Sequence, residues 1–225
     1  MEIKPIAHIY TDFPEKFGVP RQSRRVPSLE GKIVFEPEFR TPDAIRGIED
    51  FSHLWLIFDF SLAHREKFSP TVRPPRLGGN THVGVFASRS PYRPNSIGLS
   101  SVELIRVAHD ERSGDYLIVG GADLVDGTPI YDIKPYIPFT DCIENAKGGY
   151  ADIHARHSLK VEIDKNFSDL FPKEKLSALL GVLADDPRVS YKEDENYEYG
   201  MSFAGYTVKF KVKNDILTVC DLSRQ

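Results

Sequence analysis

Two arginines in a proline-rich stretch are the residues best suited to binding chemistry. The segment Arg89–Gly98, RSPYRPNSIG, places Arg89 and Arg93 four residues apart, and a proline follows each within two positions. Because proline restricts the backbone, both guanidinium groups can be held in place at low entropic cost, which suits a phosphate or carboxylate ligand. Asn95 adds an amide that can hydrogen-bond a base or a carboxylate. The alternative is a proline-rich loop whose arginines are merely solvated.

Further basic residues surround this stretch. The range Arg65–Arg93 contains six basic residues and one acidic residue, Glu66, and the range Lys16–Arg25 contains four basic residues and no acidic one. Acidic residues concentrate instead in the range Asp185–Glu198. With a net charge of −4 for the chain, this distribution favours a focused anion site over a surface that coats nucleic acid nonspecifically.

A pair of carboxylates in a turn is the second candidate. Asp123 and Asp126 lie three residues apart in DLVDGTP, and Gly127 follows the second aspartate. Such a pair could hold a ribose, a cation or a substrate amine. Because an Asp-Gly turn explains half of the pattern without any function, a purely structural turn remains an open alternative.

An aromatic loop near the N-terminus is the third candidate. Pro20, Arg21 and Gln22 end a loop that also carries Phe13 and Phe17. The aromatic rings could stack on a purine while the basic residues meet a phosphate. The alternative is a hydrophobic plug at the end of a barrel.

The remaining candidates are isolated residues. His64 follows an apolar segment and is a candidate base, but the sequence offers it no partner. Arg188 and Tyr191, in DPRVSY, could contact a phosphate and stack on a base, or could belong to a loop that ends a helix. The sequence has no nucleophile elbow, Walker loop, HExxH or CxxC motif. Catalysis would then rest on positioning and electrostatics, as in transfer from an already activated donor.

Short strands are predicted to position these residues. His53–Phe60, HLWLIFDF, is almost entirely apolar and predicts a central strand, and Val83–Ala87 predicts a second buried strand. Up to about residue 140 the pattern predicts seven or eight strands and almost no helical periodicity. This favours a closed or strongly curved sheet and excludes alternating β and α units of the Rossmann type.

The character of the sequence changes after residue 140. Residues 141–156 are polar and loop-like, whereas Lys173–Leu183 has leucines at helical spacing, and Leu159–Ile163, Tyr206–Val212 and Ile216–Asp221 predict strands. We therefore predict a mainly β chain with three parts. They are a β domain over residues 1–140, a linker over 141–156 and a small α+β domain over 157–225.

The composition excludes several classes of protein. No apolar run approaches the roughly 18–20 residues that span a bilayer, and the N-terminus shows no secretory apolar region. The two cysteines, Cys142 and Cys220, lack the spacing of metal ligands. We expect an intracellular, reduced protein with no membrane association and no structural zinc.

Taken together, the motifs resemble those of the TrmO family of tRNA methyltransferases. The resemblance extends over essentially the whole chain and is carried by PEKFGVPRQ (Pro14–Gln22), AIRGIEDFSHLWLIF (Ala44–Phe58), PTVRPPRLGGN (Pro70–Asn80), GVFASRSPYRPNSIGLSSVEL (Gly84–Leu104), DLVDGTPIYDIKPYIP (Asp123–Pro138) and DPRxxY (Asp186–Tyr191). The chain departs from the family pattern at Ser61, where many members have histidine, and at Ser96, where proline is usual.

The resemblance implies an S-adenosylmethionine-dependent enzyme without a metal, a cytoplasmic homodimer built on a closed β-barrel. It implies methylation at N6 of N6-threonylcarbamoyladenosine, immediately 3′ of the tRNA anticodon, with a C-terminal domain that assists tRNA binding. The residues implied for cofactor binding are Pro20, Arg21, Gln22, Ser61, Leu62, Arg89, Leu99, Asp123, Leu124, Val125 and Asp126. For the modified nucleotide and the RNA backbone we assign Arg93, Asn95, Arg188 and Tyr191. No catalytic base is identified.

Two other functions remain open. A noncatalytic module that binds RNA or a nucleotide would bind RNA without the cofactor. A methyltransferase that acts on a small molecule would need no tRNA. In that last case, removal of the chain from about residue 157 onward is expected to leave turnover intact, whereas a tRNA enzyme is expected to lose much of it.

Overall fold

The computed structural model describes residues 2–74, 77, 80–153, 158–188, 194 and 197–225. The strands of this part of the chain are β1 (Ala7–Tyr10), β2 (Glu30–Phe35), β3 (His53–Asp59), β4 (Thr71–Val72), β5 (Val83–Gly84), β6 (Ile97–Asp110), β7 (Gly114–Gly120), β8 (Thr128–Pro135), β9 (Lys160–Glu162), β10 (Tyr199–Phe203), β11 (Tyr206–Lys213) and β12 (Ile216–Arg224). Its α-helices are α1 (Pro138–Asp141), α2 (Tyr150–Ile153), α3 (Lys165–Ser168) and α4 (Lys173–Ala184). The prediction of a mainly β chain is confirmed.

Six strands of the N-terminal part form one antiparallel sheet. Their hydrogen-bonded order is β1-β2-β7-β6-β3-β8, and β8 pairs with β1 in turn, so the pairing closes into a barrel. In β3, which pairs with both β6 and β8, Leu54, Leu56 and Phe58 are buried and alternate with half-buried residues. This alternation follows from the pleat, which points successive side chains to opposite faces. The core of the N-terminal part lies on the inner face.

The strand predicted at Val83–Ala87 is wrong beyond its first two residues. β5 ends at Gly84, and Val85–Ala87 forms a 3-10 turn. Among the described strands, β5 pairs only with the two-residue β4, and Phe86 is 74% exposed. The apolar run therefore belongs to a surface turn in which only Val85 is buried.

The C-terminal part contains a four-stranded sheet of order β10-β11-β12-β9, in which β9 runs parallel to β12. Helix α4 confirms the helix predicted from Lys173, and its buried residues Leu179, Val182 and Leu183 belong to one core cluster with the sheet. The sequence-based prediction omits β10, although YGMSF alternates large apolar and small residues as a half-buried strand does.

The described α-helices are short: α1, α2 and α3 have four residues each, and α4 has 12. None of the helices in the described ranges is long and apolar enough to cross a membrane. The predicted linker, residues 141–156, includes the short helix α2.

A loop of the N-terminal part is built into the C-terminal core. Phe13, Val26 and Leu29 come from the loop between β1 and β2 (residues 11–29, the 11–29 loop), and they are buried in the same cluster as Leu179 and Phe203. The rings of Phe13 and Phe203 meet edge to face with centroids 5.3 Å apart. The two predicted domains therefore share a hydrophobic core through this loop.

Polar contacts fix the same loop. Asp12 forms an ion pair with Lys175 of α4, and its carbonyl oxygen accepts the N–H of Ala204 at 2.9 Å. Arg25 forms an ion pair with Asp185, directly after α4. Because these contacts lie on both sides of Pro20–Gln22, C-terminal residues determine where that candidate segment stands.

Candidate cofactor and substrate site

Two adjoining cavities lie where β3 ends. The central cavity, of about 420 Å³, is lined by Pro20, Arg21, Gln22, Ser23, Phe58, Phe60, Ser88, Arg89, Pro91, Arg93, Ile97, Gly98, Leu99, Ser100 and Asp123. The inner cavity, of about 190 Å³, is lined by Lys16, Val19, Phe58, Asp59, Phe60, Ser61, Leu62, Ala63, Pro91, Asp123, Leu124, Val125 and Thr128. Because Phe58, Phe60, Pro91 and Asp123 belong to both walls, the two cavities are neighbours.

A β-bulge positions the shared wall. The pairing of β3 with β8 shifts register between Ile57 and Phe58, and such bulges re-aim the side chains next to them. The Phe58 ring packs edge to face on Phe60 with centroids 5.1 Å apart. The two rings form a rigid apolar partition between the cavities.

Asp123 is the buried charge of the site. Its Oδ1 is buried and has no hydrogen-bond partner among the described residues. Burial raises the pKa of this carboxyl, while the neighbouring polar groups of Ser100 and Ser23 and the charge of Arg89 oppose the rise. A buried oxygen without a partner is costly to the fold, and a ligand hydroxyl or ammonium can satisfy it.

Arg89 and Gln22 bring two distant segments of the sequence together on the central cavity. Arg89 Nη1 donates to Gln22 Oε1 at 2.5 Å, and Gln22 Nε2 donates to the Arg21 carbonyl at 2.6 Å. No described carboxylate lies within ion-pair distance of Arg89, so its guanidinium can pair with an anionic group of a ligand. Pro20, also predicted, lines the same cavity.

The other predicted cofactor residues divide between the two cavities. Ser61, Leu62, Leu124 and Val125 line the inner cavity. Lys16 of the 11–29 loop donates to the Leu62 carbonyl and so ties the two loops together. Leu99, on β6 and 55% exposed, gives the central cavity an apolar face.

Asp126 lies outside both cavities. Its Oδ1 accepts the Thr11 N–H at 2.9 Å, and its own N–H donates to the Phe13 carbonyl at 2.8 Å. These bonds hold the Asp123–Pro129 turn against the 11–29 loop, which is the structural role that the sequence left open for this residue. As a cofactor-binding residue, Asp126 stays a prediction.

Arg93 and Asn95 lie on a third cavity. This side cavity, of about 310 Å³, is lined by Ile3, Asp59, His64, Arg65, Arg93, Pro94, Asn95, Ser96, Ile97 and Tyr131. Arg93 Nη1 donates to the carbonyls of Val85 at 3.1 Å and Ser88 at 2.7 Å, which braces the turn after β5. Because Arg93 also lines the central cavity, it joins the two predicted binding regions.

His64 has a partner that sequence analysis did not find. Its Nε2 lies 2.7 Å from Asp59 Oδ1, and the Asp59 side chain is 13% exposed. Asp59 lines both the inner and the side cavity. The pKa of the Tyr131 phenol is raised, first by burial of the phenol and then by the charge of Asp59 and a hydrogen bond with it. A histidine five residues after an aspartate is too common a spacing to select this pair. The sequence has a clearer signal at Ser100, a polar residue within strand β6, which the predicted site residues do not include.

Arg188 supports the 11–29 loop. Its Nε and Nη2 donate to the two carboxylate oxygens of Asp186 at 2.8 and 2.9 Å, and its carbonyl accepts from Arg21 Nη2. The hydrogen bond with Asp186 raises the pKa of Arg188. The Arg188 guanidinium is already hydrogen-bonded to Asp186, so in this structure Arg188 contacts the 11–29 loop through its carbonyl and Arg21. Contact of Arg188 with RNA stays a prediction. Tyr191 lies outside the described residues.

The chemistry of the walls narrows the ligand. A central cavity of this volume is in the range of small-molecule sites, and it combines an arginine, a buried carboxylate and an apolar face. This set fits a ligand that carries an anionic group together with hydroxyl or ammonium donors. The described residues contain no group of three or more side chains placed to hold a metal ion.

The chain matches two family models and is similar to known proteins in sequence and in fold. Residues 8–142 match the family model of the tRNA-methyltransferase O N-terminal domain, and residues 157–225 match that of the TrmO C-terminal domain. The chain is 41% identical over 219 residues to the tRNA (adenine(37)-N6)-methyltransferase of Escherichia coli K12, covering 94% of this chain and 92% of the relative. It is 36% identical over 229 residues to a putative S-adenosylmethionine-dependent methyltransferase, RcsF, of Pseudomonas aeruginosa, covering 98% and 97%. A crystal structure of TrmO from Pseudomonas aeruginosa matches with a TM-score of 0.79 at 31% identity, covering 99% and 98%.

The fold and the site define a mainly β protein with a cofactor-sized cavity, distinct from the Rossmann type. The chain belongs to the TrmO family of S-adenosylmethionine-dependent tRNA methyltransferases. The resemblance inferred from the sequence motifs is confirmed, and the family is one of enzymes rather than of noncatalytic binding modules.

Proposed function

We propose that the protein transfers a methyl group from S-adenosylmethionine to N6 of N6-threonylcarbamoyladenosine at position 37 of tRNA. The observation that carries the proposal is the buried, unpartnered oxygen of Asp123 on a cavity wall shared with Arg89. S-adenosylmethionine has a carboxylate, an ammonium and a ribose diol, so it offers a complementary partner to each of these two side chains. When bound, it supplies an electrophilic methyl group.

Each side chain then has a defined task. Arg89, held by Gln22, binds the cofactor carboxylate, and Asp123 accepts hydrogen bonds from the diol or the ammonium. Pro20, Arg21 and Leu99 complete the central cavity, and Ser61, Leu62, Leu124 and Val125 enclose the inner one. Phe58 and Phe60 make the wall that the two cavities share apolar.

The side cavity supports the finer choice of substrate. The threonyl group carries a carboxylate, and Arg93 with Asn95 presents a cation and an amide next to the cofactor cavity. The carbamoyl group makes the N6 proton more acidic, so a weak base or water suffices to remove it. The positioning of N6 beside the methyl group is then the main contribution of the protein.

We extend the proposal to a cytoplasmic homodimer whose C-terminal domain assists tRNA binding, as the motif resemblance implies. Exposed apolar side chains at Leu62, Phe68 and Phe86 offer area for an interface between copies. Sedimentation velocity over a range of concentrations tests the dimer. A chain that stays monomeric at micromolar concentrations contradicts it.

The substrate is tested with matched tRNAs. We expect mass spectrometry of digested nucleosides to show one added methyl group on tRNA that carries the threonylcarbamoyl group, and none on the same tRNA without it. The Arg93→Ala variant should raise KM for the modified tRNA more than it lowers kcat, because it removes a binding contact. Equal methylation of both tRNAs contradicts the proposed substrate.

A further inference from the structure

We propose that a groove beside the central cavity holds the sugar-phosphate backbone of single-stranded tRNA; this inference rests on the proposed function. The arginine groove has a volume of about 710 Å³, and its wall includes Arg21, Arg65, Arg73, His82, Arg89 and Tyr92. None of its described lining residues is an aspartate or a glutamate. Four guanidinium groups therefore face one groove, and the described part of its wall holds no carboxylate.

Three of the four arginines of the groove have no carboxylate partner among the described residues. No described carboxylate lies within ion-pair distance of Arg65, Arg73 or Arg89. Arg25 and Arg188, outside the groove, are each paired with an aspartate. Clustered like charges without counter-charges repel one another and create a strong positive potential, which a polyanion relieves on binding.

Arg73 is positioned by a short hydrogen-bonded chain. Its Nε donates to His82 Nε2 at 2.9 Å, and His82 Nδ1 lies 3.3 Å from Thr71 Oγ1. Because Nε2 accepts, the proton of the neutral ring is on Nδ1 and is donated to the threonine hydroxyl. This hydrogen-bonded series joins Thr71 of β4 to His82, the residue before β5, and His82 to Arg73. The small two-stranded sheet therefore holds Arg73 by its Nε, and the two terminal amino groups of the guanidinium stay available as donors.

Arg65 is positioned by an aromatic ring. Its guanidinium carbon lies 3.5 Å from the centroid of the Tyr92 ring. A guanidinium stacked on an aromatic face still donates hydrogen bonds from its edge, an arrangement that suits phosphate and single-stranded RNA. Both unpaired arginines are thus held in place before any ligand binds.

Continuity with the cofactor site points to a nucleic-acid strand rather than a small anion. Arg21, Gln22 and Arg89 belong to both the arginine groove and the central cavity. A backbone that lies along the groove therefore continues into the place where the target nucleotide must stand. A single-stranded loop fits this geometry because its target base is already free of pairing.

The salt dependence of tRNA binding tests the groove. The probe is an unmodified tRNA transcript, so that the result does not depend on the threonylcarbamoyl group. In the Arg65→Gln/Arg73→Gln variant we expect the affinity to fall about tenfold. The slope of log K against log salt should become shallower by about 1.4, which is about 0.7 for each lost single-strand phosphate contact. Arg106→Gln/Arg224→Gln removes two exposed arginines that line none of these cavities and is the matched control.

Two further measurements keep the outcome interpretable. The Arg65→Gln/Arg73→Gln variant should bind S-adenosylmethionine as the wild type does, which shows that it is folded. The Arg65→Lys/Arg73→Lys variant keeps the charge and should retain a slope near that of the wild type. If the glutamine variant keeps the affinity and slope of the control pair, the groove does not hold RNA.

Failure of the groove and failure of the proposed function give different results. A wild type that methylates tRNA while the glutamine variant keeps its slope contradicts the groove alone. A wild type that binds tRNA through the groove but transfers no methyl group contradicts the proposed function alone. A wild type that binds no tRNA contradicts both.

Discussion

Gly98 of β6 is paired with Phe58 of β3, and a Cβ at Gly98 would lie 2.2 Å from the Cζ atom of Phe58. The Phe58 ring is 4% exposed and forms part of the wall of both the central and the inner cavity. Only a residue without a side chain leaves room for the ring at this position. The packing between β3 and β6 and the shape of the central cavity therefore both depend on this contact.

The Gly98→Ala substitution should lower both stability and cofactor affinity. The new methyl group must displace the Phe58 ring, and overpacking of this kind costs about 1–3 kcal/mol. For a chain of this length, we expect Tm to fall by about 2–4 °C per kcal/mol in thermal unfolding. In the Gly98→Ala/Phe58→Leu double variant the loss should be smaller than the sum of the single losses. Strict additivity contradicts the contact as the cause.

The Asp123→Asn substitution should weaken cofactor binding and at the same time raise the stability of the fold. Loss of the charged acceptor is expected to weaken S-adenosylmethionine binding at least about tenfold, measured by titration calorimetry. The same change should raise Tm at pH 8, because it removes a buried charge with an unpartnered oxygen. Asp221→Asn is the control, since Asp221 lies on β12 and lines none of the cavities described above. An equal loss of affinity in Asp221→Asn contradicts the assignment.

The pH dependence of that stability difference has a definite sign. The pKa of Asp123 is raised by burial in the folded state. The ionised carboxylate therefore destabilises the fold fully above that pKa, and the cost disappears as the pH falls through it. The Tm advantage of Asp123→Asn over the wild type should thus be largest at alkaline pH and should narrow on acidification. An advantage that grows on acidification would show that burial is not the cause.

Removal of residues 157–225 should abolish cofactor binding as well as tRNA binding. The truncation exposes Phe13, Val26 and Leu29, and each loses about 1.5–3 kcal/mol of burial. The 11–29 loop then no longer holds Gln22 against Arg89. The sequence-based expectation, that a small-molecule enzyme would survive this truncation, does not take account of the shared core. Calorimetry of the truncated chain with S-adenosylmethionine checks this, and wild-type affinity would contradict it.

The role of Arg188 can be decided by comparing two affinities. If Arg188 acts through Arg21, the Asp186→Ala variant should loosen it and weaken S-adenosylmethionine binding several-fold. The Arg188→Ala variant should do the same. If Arg188 binds RNA instead, Arg188→Ala lowers the affinity for tRNA while the cofactor affinity stays at the wild-type value.

Residue types alone selected three polar residues that line the central cavity, whereas the apolar residues of the candidate site came from the family resemblance. Arg89, Gln22 and Asp123 come from three distant segments, and the structure brings them to one cavity. Their chemistry was visible in advance because each is a polar residue in a proline- or glycine-rich loop, where the backbone rather than the core explains the sequence. The central strand His53–Asp59 was equally visible, because a run of apolar residues suits a strand paired on both sides.

Contacts between distant parts of the chain could not be found in this way. Val83–Ala87 looks like a strand, but apolar composition does not show whether pairing partners exist on both sides. Asp123 and Asp126 look alike in the sequence, and only the packing separates the buried carboxylate from the one that binds Thr11. The burial of Phe13 in the C-terminal core depends on which apolar faces meet, and local patterns do not contain that information.

Calorimetric titration of S-adenosylmethionine into the wild type and the Arg89→Ala variant tests whether the central cavity binds the cofactor through Arg89. We expect micromolar binding by the wild type and no detectable binding by the variant, because Arg89 lines the proposed cofactor cavity with Asp123 and no described carboxylate lies within ion-pair distance of it. Arg106→Ala is the control and should bind as the wild type does. Binding of equal strength in Arg89→Ala, or none in the wild type, would contradict the assignment of this cavity.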